Sequence, residues 1–310
     1  MDRSSGCDSV QNGSTIRIGD VMTRKAVVTA ATAGIGLETA KGLARHGFAV
    51  TVVGRDPHKG HKAVTQIGGE ARFLQADLAA LHEVRALAHQ LADEGPLDVL
   101  VNNVGAMFPR RQQINGVEAS FVVNHLSPYL LTELLLPVIT GRVVNVTSAA
   151  VGAAKKTFDH VEPPGGYYGF HWYGRAKLAN LAYTLDLSTR TDTITVLAAD
   201  PGGAATDMTD GTMHDPAIVS PALRLLWPLV KRKFDRSTAG TAADAATSSI
   251  TAATDPALTG RTGLLIGPDG NPATPHRAAR QPSVIAAVRR LSEQHAPHEP
   301  IHHNPDGLSK

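Results

Sequence analysis

Short runs of apolar and β-branched residues alternate with amphipathic segments along most of this chain, and that alternation constrains its fold more than any other feature. The runs KAVVTA, FAVTVVG, ARFLQA, LDVLVNN, GRVVNVTS and TITVLAA predict strands, and GLLIG predicts a late strand. The intervening segments repeat apolar residues every three or four positions, which predicts helices over residues 36–46, 57–67, 78–92, 117–135 and 173–190.

The predicted strands are almost continuously apolar, and helices separate them. Such strands are typical of a parallel sheet covered on both faces, so we predict an α/β fold with a doubly wound parallel sheet flanked by helices. A chain of 310 residues, 42% of them hydrophobic, suits a single large domain of this kind. Ligands bind such folds beyond the C-terminal ends of the strands, and we expect the functional residues there.

Composition argues against several classes of partner. The formal net charge is +2, and the basic residues are scattered without interleaved aromatic residues, so we expect no nucleic-acid partner. Cys7, the single cysteine, excludes an internal disulfide and a cysteine-based zinc site. No window reaches about 18 consecutive apolar residues, and no apolar signal-peptide core precedes the first strand. We therefore expect a cytoplasmic protein without a membrane partner.

The two ends of the chain differ in composition from the part between them. Residues 1–24 are polar and rich in Ser and Gly, which predicts a flexible extension, and residues 25–294 carry the predicted domain. The segment 295–310 is rich in His and Pro, which predicts a disordered tail. We favour this tail over a metal site and predict no metal ligands, although four histidines lie there: His295, His298, His302 and His303.

The segment TAATAGIG, which follows the first predicted strand, is a candidate binding loop. Gly34 and Gly36 fall at the start of a predicted helix, where free N–H groups and the helix dipole favour a dinucleotide pyrophosphate. Ala30 stands where such loops ordinarily have glycine, and it costs about 1 kcal/mol if the position requires a positive φ. A purely structural glycine turn is the alternative.

Charged residues follow the next two predicted strands. Arg55 precedes Asp56 after the second strand, and a guanidinium there can bind a ribose 2′-phosphate that a carboxylate would repel. This favours NADP over NAD, with Lys59 and Lys62 as secondary charges, and a solvated Arg55 is the alternative. Asp77, after the third strand, could hold the adenine amino group or serve as a helix N-cap.

Ser148, Tyr173 and Lys177 form the candidate catalytic group. Tyrosine and lysine four positions apart share one face of a helix, so the ammonium is predicted to lower the pKa of the phenol. Such a tyrosine can donate a proton to a carbonyl oxygen or remove one from an alcohol. Ser148 ends the preceding strand and would offer its hydroxyl to the same oxygen. Asn124, inside an apolar helix, belongs either to this site or to helix packing.

These motifs together resemble those of the short-chain dehydrogenase/reductase family, and most closely its retinol dehydrogenase-like branch. The family pattern TGxxxGIG resembles TAATAGIG with one departure, NNAG resembles NNVG at residues 102–105, and YxxxK matches Tyr173 and Lys177. The segments FVVNHLSPYLLTELLLP, YGRAKLANLAYT and ADPGGAAT are similar to segments of that branch. The resemblance implies a Rossmann-type domain and dehydrogenase or reductase chemistry.

The resemblance also implies a role for each matching position. Tyr173 would be the general acid/base, and Lys177 would hold the nicotinamide ribose and depress the pKa of Tyr173. Ser148 would orient the carbonyl, Asn124 would hold a proton-relay water, and Asn102 would lie along the cofactor. Tyr173 and Lys177 would also contact the cofactor, which we expect to be NADPH in preference to NADH. The other implied contacts are Thr29, Ala31, Thr32, Gly34, Ile35, Gly36, Arg55, Asp77, Leu78, Asn103, Val104, Gly105, Pro201, Gly202 and Thr206.

Two segments are expected to shape the substrate pocket. The interval between Ser148 and Tyr173 contains KKTFDHVEPPGGYYGFHW, whose aromatic residues predict a wall over a bulky, partly apolar ligand. A surface loop that packs on itself is the alternative. Residues 207–236 would form either a second wall or an exposed helix that meets a partner subunit. The apolar residues of that segment include Leu225, Leu226, Trp227 and Leu229.

The implied function is reduction of a ketone or aldehyde by NADPH, or the reverse reaction, on a small molecule. A homodimer or a homotetramer is compatible with the sequence. Asp200 stands where the family has His or Asn, and it would place a carboxylate near the nicotinamide pocket. Two alternatives stay open at this point. One is an NADP(H)-binding regulator without turnover, which Ala30 would suit, and the other is an epimerase or dehydratase acting on a sugar-derived substrate.

Overall fold

The order of strands in the main sheet places the first strand beside the fourth. The structure is a computed structural model that describes residues 23–202, 215–226, 228–229, 231–232 and 240–299. Its strands are β1 Arg24–Thr29, β2 Phe48–Gly54, β3 Arg72–Gln75, β4 Leu97–Asn102, β5 Gln113–Ile114, β6 Val117–Glu118, β7 Ile139–Val146, β8 Thr195–Ala199, β9 Leu265–Ile266 and β10 Pro272–Ala273. The order is β10-β9-β8-β7-β4-β1-β2-β3, parallel except for β10, and β5 and β6 form a separate hairpin.

Helices cover both faces of this sheet. They are α1 Gly34–Arg45, α2 Pro57–Ile67, α3 Leu81–Asp93, α4 Ala119–Phe121, α5 Ser127–Leu135, α6 Gly169–Arg190, α7 Pro221–Leu225, α8 Ala242–Thr254 and α9 Pro282–His295. One apolar core joins the sheet to α3, α5, α6 and α9, and a second joins it to α1, α2 and α8. The predicted doubly wound α/β fold is confirmed. Among the described residues, no helix combines the length and hydropathy that crossing a bilayer requires.

Local sequence signals explain where several helices begin and end. The Asp56 carboxylate accepts hydrogen bonds from the N–H groups of His58 and Lys59, and Pro57 takes the first helical position of α2. Gly68, with φ of 72°, follows the last turn of that helix. A capping box between Thr241 and Asp244 starts α8. These signals are local in sequence, so they set the helix ends independently of tertiary packing.

The helix predicted over residues 117–135 begins later than its sequence pattern indicates. Val117 and Glu118 pair with Gln113 and Ile114 in the β5–β6 hairpin, so the helix starts at Ala119 and not at Val117. The turn is Asn115-Gly116, and both residues have positive φ, 51° and 79°. Asn-Gly is a strong hairpin signal, so the dipeptide could have predicted this turn.

The C-terminal part of the fold extends beyond its predicted boundary. Helix α9 was not among the predicted helices, and residues 296–299 after it pack on the body of the protein. Ala296 is fully buried, and Arg85 donates a hydrogen bond to the Pro297 carbonyl. His298 Nε2 lies 3.5 Å from Glu133. Residues 1–22 and 300–310, with His302 and His303, lie outside the described residues.

Candidate active site

The candidate site lies where the strand order reverses, at the C-terminal ends of β1 and β4. The chain passes from β1 outward to β2 and β3, then returns to pair β4 with the other side of β1. The two loops that leave β1 and β4 therefore diverge and leave a crevice, where ligands of such sheets bind. The loops after β7 and β8 reach the same edge of the sheet because all these strands are parallel.

The loop after β1 is shaped for close approach of backbone groups. Ala30 has φ of 51°, so the position does require the left-handed conformation that favours glycine. Gly34 also has positive φ, 55°. A Cβ on Gly36 would lie 2.4 Å from Asn103 Nδ2 and 2.5 Å from the Ala30 carbonyl oxygen. Only glycine fits at position 36 without displacing the loop after β4.

The N-terminus of α1 fits the pyrophosphate of a dinucleotide. Its N-cap residue is Ala33, no side chain caps the helix, and the first turn contains no acidic residue. The first N–H groups of the helix therefore lack a side-chain acceptor, and the positive end of the helix dipole faces the crevice. Thr32 and Ile35 are half-buried, and Ala31 is fully buried. The residues present thus suit a nicotinamide dinucleotide.

Two polar residues expected along the cofactor lie inside the fold instead. Thr29 is 1% exposed, and its Oγ1 accepts hydrogen bonds from the N–H groups of Asn103 (3.0 Å) and Val104 (3.3 Å). Asn102 is also 1% exposed, and its Nδ2 donates to Thr132 Oγ1 (2.8 Å) and Asn145 Oδ1 (2.9 Å). Thr29 thus ties β1 to the loop after β4, and Asn102 ties β4 to α5 and β7, so both side chains support the crevice from inside the fold.

The residues after β4 border the crevice more directly than Asn102 does. Asn103 is half-buried, and its Nδ2 donates to the carbonyl oxygens of Thr29 (3.2 Å) and Ala30 (3.3 Å). Val104 is buried in the core, whereas Gly105 is exposed. This segment links the loop after β1 to the catalytic side of the site.

Arg55 is exposed, and the neighbouring Asp56 carboxylate caps the N-terminus of α2. The hydrogen bonds from His58 N–H (2.9 Å) and Lys59 N–H (3.1 Å) lower the pKa of the Asp56 carboxyl group. Asp77 does not cap α3, because its Oδ1 accepts from Ala79 N–H, 2.9 Å away, ahead of the helix. Leu78 is buried in the core. Of Arg55, Asp56, Asp77 and Leu78, only Arg55 is exposed.

Ser148 and Tyr173 meet at the end of β7. A side-chain hydrogen bond joins them, and Tyr173 is buried on α6. Burial raises the pKa of Tyr173 to about 12; the Ser148 hydrogen bond lowers it, and the Asp200 carboxylate raises it. The predicted lowering by Lys177 is not found. The phenol is therefore protonated at neutral pH.

Lys177 joins the loop after β4 to the end of β7, close to Tyr173. Its Nζ donates to the carbonyl oxygens of Val104 (2.7 Å) and Val146 (2.9 Å) and lies 6.0 Å from the centre of the Tyr173 ring. Burial lowers the pKa of Lys177 to about 7. The amine therefore holds the loop after β4 against the end of β7 and can change its charge near neutral pH.

The buried position of Lys177 predicts a pH-dependent stability. The pKa of Lys177 falls from 10.5 to about 7 on folding, so between these pH values the unfolded chain binds a proton that the folded chain releases. The contribution of Lys177 to the unfolding free energy therefore becomes more favourable as pH rises. We expect the difference between the protein and its Lys177→Met variant to grow by roughly 1 kcal/mol or more from neutral pH to pH 10. Urea titrations measure it, and a surface variant, Lys62→Met, should show no such trend.

Asn124 lies in a π-helical segment, Val122–Leu126, between α4 and α5. Its Oδ1 accepts from Ala106 N–H (2.9 Å), and its Nδ2 donates to the carbonyl oxygens of Ala106 and Ser120, both at 2.8 Å. The amide thus fastens the loop after β4 to this helix. Interruptions of this kind are frequent at functional sites, and this one places a buried amide beside the crevice.

Asp200 and Gly202 shape the loop after β8. The Asp200 carboxylate accepts a hydrogen bond from Gly202 N–H at 2.9 Å, and Gly202 has φ of 67°. Burial raises the pKa of Asp200. Pro201 is buried. Thr206, the last predicted cofactor contact, lies outside the described residues.

Gly174 allows α6 to approach the segment that carries Ser148. A Cβ on Gly174 would lie 2.3 Å from the carbonyl oxygen of Ala150, which belongs to the 3-10 helix Ala149–Ala153. Gly174→Ala should therefore separate Tyr173 from Ser148 and reduce stability by about 1–3 kcal/mol. Gly152→Ala is the matched control, since no atom lies within 4 Å of its added Cβ. Thermal unfolding of the two variants measures the difference, and equal melting temperatures would contradict the close contact.

Arg175 is a buried residue of the site that the sequence pattern did not predict. Its guanidinium donates to the carbonyl oxygens of Thr157 (3.0 Å), His160 (2.8 Å) and Val161 (2.9 Å). These residues lie in the aromatic-rich interval between Ser148 and Tyr173. The guanidinium carbon also lies 4.6–5.9 Å from the centres of three rings, those of Phe121, Phe158 and Trp172. One arginine therefore holds the long interval against α6.

The aromatic residues of that interval divide into two groups. Phe158 and Trp172 are 3% exposed and surround Arg175, so they belong to the packed interior. Tyr168 and Phe170 are half-buried on the outer side. Tyr167 stacks on Trp172 with 5.3 Å between ring centres, and its hydroxyl donates to the Phe108 carbonyl at 2.8 Å. The interval thus packs on itself in part, and Tyr168 and Phe170 keep partly exposed side chains.

The described part of the chain contains no set of side chains that could bind a metal ion. There, no group of three or more His, Cys, Asp or Glu side chains is arranged to hold a metal ion. The polar groups gathered at the crevice are instead a hydroxyl, a phenol, an amine and an amide. Such groups bind and transfer protons to a small organic oxygen.

Comparisons with known proteins show which family this chain resembles. The family model described as short chain dehydrogenase matches residues 24–217. Polyprenol dehydrogenase of Mus musculus is 39% identical over 204 residues, an alignment that covers 60% of this chain and 61% of that protein. Retinol dehydrogenase 12 of Mus musculus is 36% identical over 227 residues, which covers 69% of each chain.

A solved structure shares the fold. The RhlG/NADP active-site complex of Pseudomonas aeruginosa is 25% identical and has a TM-score of 0.62, with 80% of this chain and 95% of that chain covered. The match of the family model exceeds half of the 310-residue chain. This chain therefore belongs to the retinol dehydrogenase-like branch of the short-chain dehydrogenase/reductase family, whose members are oxidoreductases that use nicotinamide cofactors and act on small molecules.

Proposed function

We propose that this protein reduces a ketone or aldehyde group of a bulky, partly apolar small molecule to the alcohol, with NADPH as the reductant and Tyr173 as the general acid/base. The observation that carries this proposal is the contact between the half-buried Ser148 and the buried Tyr173 at the edge of the crevice, with Lys177 Nζ 6.0 Å from the centre of the Tyr173 ring. The uncapped N-terminus of α1 lies at the same edge of the sheet.

The protonation state of Tyr173 supports the direction of reduction. A phenol with a pKa of about 12 carries its proton at neutral pH and can donate it to the oxygen of a carbonyl group. Oxidation of an alcohol would instead require the phenolate. Ser148 would donate a hydrogen bond to the same oxygen and orient it. Lys177, once protonated, would stabilise the phenolate that remains after the proton has moved.

NADPH would supply the hydride that adds to the carbonyl carbon. The loop from Ala30 to Gly36 and the first turn of α1 would hold its pyrophosphate. Asn103, Gly105 and the loop of Pro201 and Gly202 would border its nicotinamide end. Within this arrangement the chain positions the two reactants and provides the proton, and hydride chemistry belongs to the cofactor.

The surroundings of Arg55 support NADPH over NADH. Arg55 is exposed after β2, whereas the neighbouring Asp56 carboxylate is engaged with the N-terminus of α2. A guanidinium at this place suits a 2′-phosphate, and Lys59 and Lys62 are exposed on the same helix. The related RhlG structure is an NADP complex. Together these observations favour the phosphorylated cofactor.

The substrate class follows from the half-buried aromatic residues and from the relatives. Tyr168 and Phe170 can offer apolar surface beside Tyr173. Two relatives are named for polyprenol and retinol, which are apolar alcohols. We therefore propose bulky, partly apolar carbonyl compounds as substrates.

Cofactor binding and turnover test this proposal. We expect NADPH to bind at least about tenfold more tightly than NADH, since a guanidinium–phosphate pair contributes more than about 1.4 kcal/mol. Arg55→Ala should remove most of this difference, and Arg45→Ala, an exposed arginine at the end of α1 far from the crevice, should change it little. NADPH oxidation should then follow on addition of bulky ketones and aldehydes. Tight NADPH binding without turnover of any carbonyl compound would instead support a regulator.

Ala30 gives a separate prediction about strain. Because Ala30 has φ of 51°, Ala30→Gly should raise the unfolding free energy by about 0.5–1 kcal/mol and should leave NADPH affinity unchanged or tighter. Asn115→Gly is the control, because asparagine tolerates its φ of 51° better. Urea denaturation and NADPH titration measure the two effects. A large loss of NADPH affinity would mean that the methyl group has a function in the site.

A further inference from the structure

Among the residues that the structure describes, the large exposed apolar side chains are concentrated at one place. Leu225, Leu226 and Leu229 are 85%, 52% and 66% exposed, and among the described residues no other large hydrophobic side chain is classed as exposed. They fall within five consecutive positions at and just after α7. Single exposed leucines are ordinary, but a concentration of them marks an interaction surface. We call these three residues the leucine surface.

The charge around the leucine surface has one sign. The sequence from 216 to 233 contains no acidic residue, and it contains Arg224, Lys231, Arg232 and Lys233. Arg232 is exposed. Arg224 is held by the chain itself, because its guanidinium donates to the carbonyl oxygens of Pro216, Ala217 and Val219. Leucines beside a basic residue are typical of segments that lie in the interface of an anionic membrane.

The leucine surface is fastened to the wall of the candidate active site. Ser220, at the start of α7, donates its N–H to His171 Nε2 at 3.2 Å, and His171 Nδ1 lies 2.6 Å from the Ala153 carbonyl oxygen. The Arg224 guanidinium carbon lies 5.7 Å from the centre of the Tyr168 ring. His171 precedes Tyr173 by two positions. The surface therefore sits directly beside the aromatic side of the crevice.

We propose that Leu225, Leu226 and Leu229 insert into the headgroup region of an anionic lipid bilayer, with Arg232 beside them at the lipid phosphates. This contact requires no spanning helix, and it revises our expectation of a protein without a membrane partner. A second copy of the chain is a poorer occupant. A two-fold contact would bring the basic segments of both copies together, and three leucines fall short of the roughly 800 Å² per partner typical of specific interfaces.

The membrane contact would also explain how an apolar substrate reaches the site. Compounds that partition into lipid are scarce in water, and a crevice opening at the bilayer surface would receive them from the lipid phase. This consequence rests on the proposed function. The contact itself rests only on the exposed leucines and the adjacent charge, so it is testable without any turnover.

Co-sedimentation of the full chain with vesicles tests the contact. We expect the protein to sediment with phosphatidylcholine vesicles that contain phosphatidylglycerol and to bind pure phosphatidylcholine vesicles less. The combined variant Leu225→Ser, Leu226→Ser, Leu229→Ser should lose at least about tenfold in binding. Arg232→Glu should weaken binding to the anionic vesicles, whereas Arg45→Glu, at the opposite end of α1 from the crevice, should not.

Three outcomes would overturn the proposal. In the first, the protein stays in the supernatant with both kinds of vesicle. In the second, the leucine variant binds vesicles as strongly as the unchanged protein does. In the third, neither protein binds vesicles, and light scattering shows that the unchanged protein is a dimer and the leucine variant a monomer. That result would assign the leucine surface to contact with a second copy of the chain. Tyr173→Phe should bind vesicles normally, so failure of the catalytic proposal and failure of this one are distinguishable.

Discussion

Replacing Tyr173 by phenylalanine is expected to lower kcat/KM for carbonyl reduction by about 10²–10⁴ and to leave NADPH binding nearly unchanged. The substitution removes the only proton donor that the proposal assigns to the carbonyl oxygen. The ring is kept, so its packing on α6 is preserved. Steady-state kinetics with NADPH and a reactive ketone measures the first effect, and fluorescence titration measures the second.

Tyr183→Phe is the matched control for this prediction. Tyr183 is buried on the same helix, and its hydroxyl donates to Glu133 at 3.0 Å, away from the crevice. The control should lose about 1–2 kcal/mol of stability, because a buried carboxylate loses a hydrogen bond. It should nevertheless keep kcat/KM within a few fold. Equal activity of Tyr173→Phe and the unchanged protein would refute the assignment of Tyr173.

Replacing Arg175 by lysine is expected to destabilise the protein by about 3 kcal/mol or more. Arg175 is fully buried, and a lysine cannot reach three carbonyl oxygens in one plane or stack between aromatic rings as a guanidinium does. The interval that it holds should then loosen. Trypsin should cleave after the exposed Lys156 faster, and KM should rise more than kcat falls, because the aromatic side of the pocket loses its support.

Arg290→Lys is the matched control. It shows whether replacing any arginine near the interval would destabilise the protein as much as Arg175→Lys does. Arg290, on α9, donates to the carbonyl oxygens of Phe158 and Asp159 at 3.3 Å from the outer side. Its contacts are long and partly exposed, so the control should change stability by no more than about 0.5 kcal/mol. If both variants lose the same unfolding free energy, the buried contacts of Arg175 do not contribute more to stability than the exposed contacts of Arg290, and the prediction is wrong.

Periodicity alone predicted the architecture, because the parallel sheet requires continuous apolar strands and the helices require one apolar face. The strand runs from KAVVTA to TITVLAA all appear in the sheet, in the expected parallel arrangement. The β5–β6 hairpin was missed because Val117 and Glu118 continue the helical pattern that follows. The Asn115-Gly116 dipeptide outweighs that pattern, since both residues adopt positive φ.

The roles of individual polar residues were harder to predict, because they depend on contacts between distant segments. Neighbouring asparagines differ completely: Asn102 is enclosed between strands, whereas Asn103 borders the crevice. The pKa of Tyr173 rises because burial outweighs a lysine that is engaged with two backbone carbonyl groups. The spacing of Tyr173 and Lys177 shows that they share a helix face, but it says nothing of how deeply that face is buried.

The sequence around Arg175 carries a signal of its buried role. It is a charged residue between Tyr173 and Lys177 on a helix whose other residues are mostly apolar or small. A buried arginine needs several acceptors, and backbone carbonyl groups of an irregular segment can supply them. The long Ser148–Tyr173 interval is such a segment. Which carbonyl groups it would present could not be read from the sequence, because its path depends on Arg175 itself.

Transfer of deuterium from labelled NADPH to the product tests the central claim most directly. The protein is incubated with a bulky ketone and with NADPH deuterated at C4 on one face or the other, and the alcohol is analysed by mass spectrometry. The proposal predicts that one of the two labelled cofactors gives an alcohol with deuterium on the carbinol carbon, and that Tyr173→Phe gives almost none. Cofactor oxidation without label in the alcohol, or equal labelling by Tyr173→Phe, would contradict it.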